Sequence, residues 1–314
     1  MKRIVTIGGG TGQYALLSGL KMIPDLDLTA VVTMADSGGS SGVLRTEREV
    51  LPPGDALRCS LALATADPNV IHLFGHRLTD GGGIGGHTIG NIVLTGATEQ
   101  NGDDFLAGLQ TIAKVLQVRG RVLPVTTDRV TLCVRLSDGS VVRGEHHIDH
   151  PEHDTSLRIQ DIWLEPNASL REEVREAFRS ADAIIAAPGD FYTSLLANIV
   201  VDGVPEAFES TLAKFIFVVN TMTKCGETDT FAVEDFVTVF EHYARRKVDV
   251  VVCNTEVPTQ DVLEKYKREG AVPVPWSLVG EVDGRMYVPF PLLAEGMFAR
   301  HDSIKLAHVI RALL

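Results

Sequence analysis

"RIVTIGGGTG", residues 3–12, decides the fold of this chain because an apolar stretch leads directly into a glycine-rich turn. Residues 3–7 predict a strand, and residues 12–22 predict a helix with Leu16, Leu17 and Leu20 on one face. A strand, a turn and a helix in this order form the first unit of a parallel sheet that helices cover.

The rest of the chain mostly repeats this alternation. Further strands are predicted within 28–34, 182–187, 214–219 and 248–254, and helices at about 54–66, 91–98 and 102–116. The section 122–164 differs, because Val and Thr alternate along it and Asp138 and Gly139 predict a hairpin. We expect one α/β domain over residues 1–314, with a Rossmann-like, doubly wound, mainly parallel sheet and an antiparallel β-rich insertion at about 120–165.

Composition limits the partners of the protein. The chain has 314 residues and a net charge of −12, whereas binding to nucleic acid or to an anionic membrane needs a broad basic face. The four cysteines are scattered, which indicates reduced thiols. The sequence has neither a signal-peptide pattern nor a membrane span, so we expect a cytoplasmic protein.

The turn at residues 8–12 is a candidate anion site, because it joins the end of a strand to the start of a helix. Its residues are Gly8, Gly9, Gly10, Thr11 and Gly12. The dinucleotide fingerprint fails here, since Gln13 stands where its last glycine belongs. A tight turn without a ligand is the alternative.

The second strand ends in "ADSGGSSG", residues 35–42. A ribose contact would explain Asp36 and leave the small residues after it without a role. Successive small residues let their N–H groups converge on an anion, and the candidates are Ser37, Gly38, Gly39, Ser40 and Ser41. A carboxylate beside a phosphate needs a cation between them, so Asp36 is predicted to be a Mg²⁺ ligand.

A second acidic residue, Asp55, follows a Pro-Pro-Gly turn in the first turn of a predicted helix. It is either a second Mg²⁺ ligand or an acidic residue that stabilises the helix dipole. Arg45, Arg48 and Arg58 flank the two acids, either as phosphate ligands or as solvated surface residues.

The loop "TDGGGIGGHTIGN", residues 79–91, is rich in glycine, which indicates a mobile lid or a close approach of the backbone to a ligand. His87 and Asn91 are predicted to contact a phosphate or a sugar hydroxyl. The alternative is an Asn91 helix cap beside a surface His87.

Two later strand ends carry amides and hydroxyls that suit a nucleobase or a ribose. Their candidate residues are Pro188, Gly189, Tyr192, Thr193, Asn220 and Thr223. The alternative is that both are ordinary polar junctions between a strand and a helix. A histidine-rich segment, residues 145–154, fits no standard zinc spacing, and we expect it to be a solvated loop away from the site.

Several motifs occur in one order along nearly the whole chain, and together they identify a resemblance. They are "IGGGTG", "ADSGGSSG", "PPGDALRC", "GHTIGN", "APGDFYTSLLAN", "VNTMTKCGETD" and "FARHDSIKLAHVI". The sequence resembles the CofD/YvcK superfamily, and most closely its gluconeogenesis-factor branch. It departs from the pattern at Asp190, where the resemblance leads us to expect a serine.

The resemblance implies two functions of different class. The gluconeogenesis-factor branch implies a regulator that binds UDP-sugars and acts on cell-wall precursor supply and cell shape. The 2-phospho-L-lactate transferase branch implies a Mg²⁺-dependent transfer from a GDP-linked donor, with the metal pattern falling on Asp36 and Asp55. We expect the regulator, with a UDP-sugar favoured over a GDP or NAD type of ligand, in a homo-oligomer that acts through protein partners.

Overall fold

The computed structural model describes residues 1–48, 50–79 and 81–314. Within these residues the strands form one large sheet and one small sheet. The strands are β1 (Lys2–Gly8), β2 (Leu26–Val32), β3 (Arg121–Pro124), β4 (Thr131–Leu136), β5 (Val141–Arg143), β6 (Ile159–Glu165), β7 (Ala183–Ala186), β8 (Lys214–Val218), β9 (Val250–Asn254), β10 (Gly280–Val282) and β11 (Arg285–Phe290).

The large sheet has the strand order β10-β11-β9-β8-β7-β1-β2-β3. Every neighbouring pair in it is parallel except β10 with β11. From the central β1 the chain builds outward through β2 and β3, and later builds in the opposite direction from β7. The strand order therefore reverses between β1 and β7, which confirms the predicted doubly wound, mainly parallel fold.

Helices cover both faces of this sheet. They are α1 (Gly10–Leu20), α2 (Gly39–Arg48), α3 (Gly54–Leu63), α4 (Pro68–Gly75), α5 (Ile89–Gln100), α6 (Phe105–Val115), α7 (Glu145–Asp149), α8 (Glu172–Ser180), α9 (Ala197–Ile199), α10 (Val204–Ser210), α11 (Val233–Ala244), α12 (Gln260–Arg268) and α13 (Ser303–Leu313). A 3₁₀ turn at Gly82–Ile84 and a π-helix at Phe191–Leu196 complete the elements.

The core has two parts, one on each face of the large sheet. Leu16, Leu17 and Leu20 of α1 are fully buried on one face, as their spacing predicts. The other face buries an aromatic cluster in which Phe217 stacks on Phe240. Because β1 and β2 are buried on both sides, they are nearly continuous apolar runs.

The small sheet is antiparallel and has the order β5-β4-β6. Gly139, with a φ of +87°, lies in the turn of the predicted hairpin between β4 and β5. Residues 121–124 pair with β2 in the large sheet. The predicted start of the insertion, about residue 120, was therefore too early, and the separate sheet begins at Thr131.

The structure also corrects the predicted helices. Helix α2, which was not predicted, starts at Gly39, so the small residues after Asp36 form the first turn of a helix. Helix α4, with Asp67 as its N-cap and Pro68 at its start, was not predicted. Asp80, within the predicted loop 79–91, lies outside the described residues.

The four cysteines are free thiols in the structure, three of them buried. In the part of the chain that the structure describes, no helix has the length and apolar character needed to cross a bilayer.

Candidate functional site

The candidate site lies where the strand order reverses, at the carboxyl ends of β1 and β7. The loops that follow these two strands are in close contact. A Cβ atom added to Gly12 would lie only 2.0 Å from the carbonyl oxygen of Pro188. Gly10 has a φ of +64°, a conformation that glycine adopts without strain. Two cavities open on either side of this contact.

The first cavity, which we call the acidic cleft, has a volume of about 410 Å³. It brings together residues from seven separate segments of the chain. The sequence-predicted residues that line it are Gly10, Asp36, Gly38, Gly39, Ser40, Ser41, Asp55, Arg58, Asn91 and Thr193.

Asp36 and Asp55 face the same cleft and are each held by one backbone N–H. The Asp36 Oδ1 accepts from Gly38 over 2.9 Å, and the Asp55 Oδ1 accepts from Gly10 over 2.9 Å. Burial and the neighbouring Asp36 carboxylate raise the pKa of Asp55 to about 6, although Arg58 opposes this. In the described part of the chain neither carboxylate forms an ion pair with Lys or Arg, so the cleft concentrates negative charge.

Two glycines leave room for these carboxylates. A Cβ at Gly9 would lie 2.4 Å from the Asp55 Oδ2, and a Cβ at Gly54 would lie 2.9 Å from the Asp36 Oδ2. Both positions therefore require glycine for the observed carboxylate positions.

The amino end of α2 faces the acidic cleft through Gly39, Ser40 and Ser41. The first N–H groups of a helix have no acceptor within the helix, and the helix dipole makes this end positive. An anion bound in the cleft would therefore meet backbone donors, as predicted, but from a helix end instead of an irregular nest.

His87 and Asn91 meet at Ser40. The Ser40 Oγ lies 2.9 Å from the His87 Nδ1 and accepts a hydrogen bond from the Asn91 Nδ2 over 3.0 Å. His87 is only 5% exposed, and Thr88 caps α5 with its hydroxyl, so the alternative of a surface histidine beside an Asn91 cap is wrong. The Asn91 Oδ1 is buried and has no hydrogen-bond partner among the described residues.

The insertion contributes directly to the acidic cleft, which corrects the prediction that residues 145–154 lie away from the site. Glu145 lines the cleft, and its Oε2 accepts from the Ser37 N–H over 3.2 Å. The N–H of His146 donates to the Ser37 Oγ over 3.0 Å. Burial, followed by the charge of Asp36, raises the pKa of Glu145 to about 8. His146, His147 and His150 are exposed, as predicted, whereas His153 is half-buried and its Nε2 has no hydrogen-bond partner among the described residues.

The second cavity, which we call the outer cavity, has a volume of about 940 Å³. Asp190 lines both cavities and connects them. The sequence-predicted residues in its wall are Thr11, Gly12, Pro188, Gly189, Asn220 and Thr223.

The predicted base-binding side chains of the outer cavity already have partners. The Asn220 amide donates to the Gly189 carbonyl over 2.6 Å and accepts from the Gly189 N–H over 3.2 Å. The Thr223 Oγ1 accepts from the Val272 N–H over 3.0 Å. These two side chains hold the wall of the cavity in place.

A lysine surrounded by carboxylates lines the outer cavity. Lys224 forms ion pairs with Asp149 of α7, with Asp190 over 3.0 Å and with Glu227 over 3.0 Å. Burial lowers the pKa of Lys224, but the three carboxylates together raise it further, so the ammonium stays charged. Burial raises the pKa of Glu227 to about 7 despite the neighbouring ammonium. We call these four residues the Lys224 cluster.

Some predicted residues lie outside both cavity walls. Tyr192 is 3% exposed and packs edge-on against Phe191 in the core, because the π-helix turns it away from the cleft. Gly8 and Gly9 line neither cavity. Arg45 donates to the Val130 carbonyl, and Arg48 lies in a different cavity, so only Arg58 of the three flanking arginines faces the acidic cleft.

The family of the chain follows from comparison with known proteins. A family model described as 2-phospho-L-lactate transferase CofD matches residues 4–285. The chain belongs to the CofD family. The CofD model thus extends from β1 to β11 and includes the insertion.

Relatives within the CofD family are named gluconeogenesis factors, the branch that the sequence motifs resemble. The gluconeogenesis factor of Halalkalibacterium halodurans is 40% identical over 276 residues, which cover 87% of this chain and 84% of that protein. The gluconeogenesis factor of Bacillus subtilis is 39% identical over 278 residues, with 88% and 86% covered. These matches confirm the predicted superfamily and branch.

A solved structure confirms the fold. The crystal structure of a UPF0052 family member from Bacillus halodurans has a TM-score of 0.91, 35% sequence identity and 99% coverage of both chains. This CofD family member therefore shares its whole architecture with an experimentally determined relative.

Sequence reasoning missed the residues that come to the site from distant segments: Glu145, Asp149, Lys224, Arg300 and His301. The first two follow the β5 strand in a segment that reads as a surface loop. Lys224 directly follows the predicted Thr223, so a strand-end argument could have included it. Arg300 and His301 belong to a motif that carried the resemblance but received no role.

Proposed function

We propose that the protein binds a nucleotide diphosphate sugar, preferentially a UDP-sugar, across the acidic cleft and the outer cavity. The observation that carries this proposal is the pair Asp36 and Asp55 beside the amino end of α2. Carboxylates and anion-binding N–H groups in one cleft are compatible only if a cation lies between the carboxylates and the anion.

The diphosphate fits the acidic cleft best. The amino end of α2 supplies backbone N–H groups there, and Arg58 adds a positive charge. The unpartnered Asn91 Oδ1 and Thr193 Oγ1 are two further buried polar atoms of residues that line this cavity. A ligand with hydroxyl groups next to its phosphates would satisfy both.

Mg²⁺ fits this donor set. The described residues contain no group of three His, Cys, Asp or Glu side chains that could hold a metal alone. Mg²⁺, however, commonly binds through one or two carboxylates together with water and substrate phosphate oxygens. Asp36 and Asp55 would hold it, and the ion would neutralise the charge of the diphosphate.

The nucleoside fits the outer cavity. Its volume of about 940 Å³ is within the usual range for small-molecule sites, and it joins the acidic cleft at Asp190. A ligand that spans both cavities would place its diphosphate at the reversal of strand order, the usual binding position in this class of sheet.

The regulatory role extends this binding proposal. The relatives are named gluconeogenesis factors, and the corresponding role here is to couple UDP-sugar supply to cell-wall precursor synthesis and cell shape. We place the protein in the cytoplasm, as a homo-oligomer that acts through protein partners.

A binding and turnover experiment tests the proposal. UDP-N-acetylglucosamine, UDP-glucose, GDP and NAD are each added with and without Mg²⁺, and the melting temperature and the integrity of the nucleotide are measured. The regulator predicts a Mg²⁺-dependent increase in melting temperature with UDP-sugars, while the nucleotide stays intact. If no nucleotide at millimolar concentration stabilises the protein, the proposal is wrong.

A second candidate function is a Mg²⁺-dependent transferase of a phospho-acyl or sugar-phosphate group. The observation that favours it is Glu145, whose raised pKa of about 8 allows it to exchange a proton near neutral pH within the cleft. Asp36 and Asp55 would then belong to the catalytic machinery. Release of a nucleoside phosphate from a diphosphate donor, lost in Glu145→Gln, would support this function instead of the regulator.

A further inference from the structure

Arg300 is an exposed cation in the wall of the outer cavity, and the chain gives its guanidinium no acceptor. Among residues 1–48, 50–79 and 81–314, no oxygen atom forms a hydrogen bond or an ion pair with this guanidinium. Lys224, which lines the same cavity, is instead held by three carboxylates. The donors of Arg300 are therefore available to a ligand.

The backbone around Arg300 is fixed by three hydrogen bonds. The Ala299 carbonyl accepts from the Thr221 hydroxyl over 2.6 Å. The Arg300 carbonyl accepts from the Ala294 N–H over 2.9 Å, and the Arg300 N–H donates to the Phe298 carbonyl over 3.0 Å. These bonds hold the backbone but leave the long side chain with many rotamers. Selecting one rotamer on binding would cost affinity, unless the free protein already holds the side chain in place.

The ring of Phe298 restricts this side chain. The Arg300 Cζ lies over the ring at 4.6 Å from its centroid, and the Lys265 Nζ lies over the same ring at 3.5 Å. Both distances are within the range of a cation–π interaction. A guanidinium that rests on an aromatic face still has its N–H donors for a planar acceptor group.

Phe298 has no role in the apolar core that would explain an aromatic residue at this position. Its side chain is 40% exposed, and in the described part of the chain it belongs to none of the three apolar clusters. The loop is instead anchored by Leu293 and Ala299, which pack with Met222 and Val262. The contacts of the Phe298 ring with the two cations are therefore its distinguishing feature.

The positive charge of Arg300 acts on a neighbouring residue of the cavity wall. Burial raises the pKa of Tyr266, while a hydrogen bond with the Ala299 backbone and the charge of Arg300 oppose that rise. Tyr266 and Arg300 both line the outer cavity. The guanidinium on the Phe298 ring is thus close to a hydroxyl of the cavity wall and is itself exposed.

We propose that Phe298 is a positioning residue, whose ring holds the Arg300 guanidinium in the conformation that donates to an acceptor oxygen of the bound nucleotide. Phe298 itself lines neither the outer cavity nor the acidic cleft, so it acts through Arg300. This inference rests on the proposed nucleotide site and names the residue that prepares one wall of it.

The test is calorimetric binding of UDP-glucose to the full-length protein in Mg²⁺. Phe298→Leu keeps an apolar side chain but removes the aromatic face, and it should bind about threefold more weakly than wild type. Phe298→Tyr keeps the face and should bind as tightly as wild type. Arg300→Met removes the donors and should weaken binding about tenfold.

A double variant separates positioning from a general structural role. When Phe298→Leu is added to Arg300→Met, it should cause no further loss of affinity, because no guanidinium is left to position. Lys265→Met is the matched control. It removes the other cation from the same ring, at a position that lines neither cavity, and should change the affinity by less than about twofold at physiological salt. Circular dichroism and the melting temperature confirm that each variant is folded.

The outcomes distinguish this proposal from the proposed function. Wild-type affinity in Phe298→Leu or in Arg300→Met overturns the positioning role and leaves the nucleotide site in place. A loss that Phe298→Tyr or Lys265→Met shares, or that persists in the Arg300→Met background, shows a structural effect of the loop and also overturns it. If the wild-type protein does not bind UDP-glucose, the proposed function itself is wrong.

Discussion

Two groups of acidic side chains lie on either side of Asp190, and they differ in what balances their charge. Asp36 and Asp55 in the acidic cleft have no ion-pair partner in the described chain, and burial beside a like charge raises the pKa of Asp55 to about 6. Asp149, Asp190 and Glu227 surround Lys224. The carboxylates of the Lys224 cluster are balanced by an ammonium of the same chain, whereas the two carboxylates of the acidic cleft have no such partner in the described chain.

The two groups are also expected to have different roles: the Lys224 cluster stabilises the fold, and the acidic cleft binds the ligand. The Lys224 cluster links the insertion, through Asp149, to the loop after β8, so it holds the wall of the outer cavity in place. In the acidic cleft, Asp55 is buried beside the Asp36 carboxylate, so the charge of Asp55 lowers the stability of the folded state. Substitutions in the Lys224 cluster should therefore lower the free energy of unfolding. Substitutions of Asp36 or Asp55 should lower the affinity for the ligand.

The largest effect is expected from Lys224→Met. Removal of the ammonium leaves Glu227, whose side chain is fully buried, without its compensating charge, which should cost about 3 kcal/mol in the free energy of unfolding. Urea denaturation at pH 7 measures this loss. Lys247→Met, at an exposed position, is the matched control, and the double variant Lys224→Met, Glu227→Gln should recover most of the stability. A loss no larger than that of the control would contradict the assigned role.

The acidic cleft should respond in the opposite direction to Asp55→Asn. In the folded protein the pKa of Asp55 is about 6, above its ordinary value of 3.8, so the folded state binds more protons between these values. Stability therefore falls as the pH rises through this window, and is fully regained below it. With Mg²⁺ removed by chelation, Asp55→Asn should be more stable than wild type at pH 7 by about 1–3 kcal/mol.

The same comparison at pH 4 should show almost no difference between Asp55→Asn and the wild-type protein. Asp261→Asn, on the exposed start of α12, serves as the control because its carboxyl is remote from the cleft. An Asp55→Asn protein that is less stable than wild type at pH 7 would mean that the carboxylate has a stabilising partner.

A smaller effect is expected from Gly9→Ala. The added Cβ would lie 2.4 Å from the Asp55 Oδ2 and would displace the carboxylate, while the backbone conformation itself is extended and open to any residue. The Mg²⁺-dependent affinity for UDP-glucose should fall about tenfold. Gly83→Ala is the control, because a Cβ there meets nothing within 4 Å. Equal affinities in the two variants would show that the position of Asp55 is unimportant.

The smallest effect is expected from Asp190→Ser, which introduces the residue that the motif led us to expect. The Asp190 side chain is 47% exposed, and Lys224 keeps two other carboxylates, so the loss of unfolding free energy should stay below about 1 kcal/mol. Chemical denaturation beside Lys224→Met measures it. A loss as large as that of Lys224→Met would show that Asp190 dominates the cluster.

Local sequence was enough to predict the acidic cleft in outline. Asp36 follows the apolar run of β2, and Asp55 begins the helix after the next turn, so both could be assigned to one sheet edge. The edge itself follows from the alternation of strands and helices, because parallel strands present their carboxyl ends together.

The other residues could not be predicted because their positions depend on long-range packing. The alternation in 122–164 indicates an antiparallel sheet but does not indicate that α7 turns back to bring Glu145 onto Ser37. Tyr192 follows a strand end like Thr193, yet the two lie on different sides of the π-helix, one in the core and one at the cleft. His301 comes from the segment before the last helix, and only the completed fold brings it beside Thr221.

The central claim, that Asp36 and Asp55 receive a divalent cation together with a diphosphate, is tested most directly by metal binding. Mn²⁺, as a paramagnetic substitute for Mg²⁺, is titrated into the protein with saturating UDP-glucose, and free Mn²⁺ is measured by electron paramagnetic resonance. The account predicts one bound Mn²⁺ per chain that depends on UDP-glucose, with at least about tenfold weaker binding in Asp36→Asn and Asp55→Asn. Mn²⁺ binding that is equal in wild type and both variants, or that is unaffected by UDP-glucose, would contradict it.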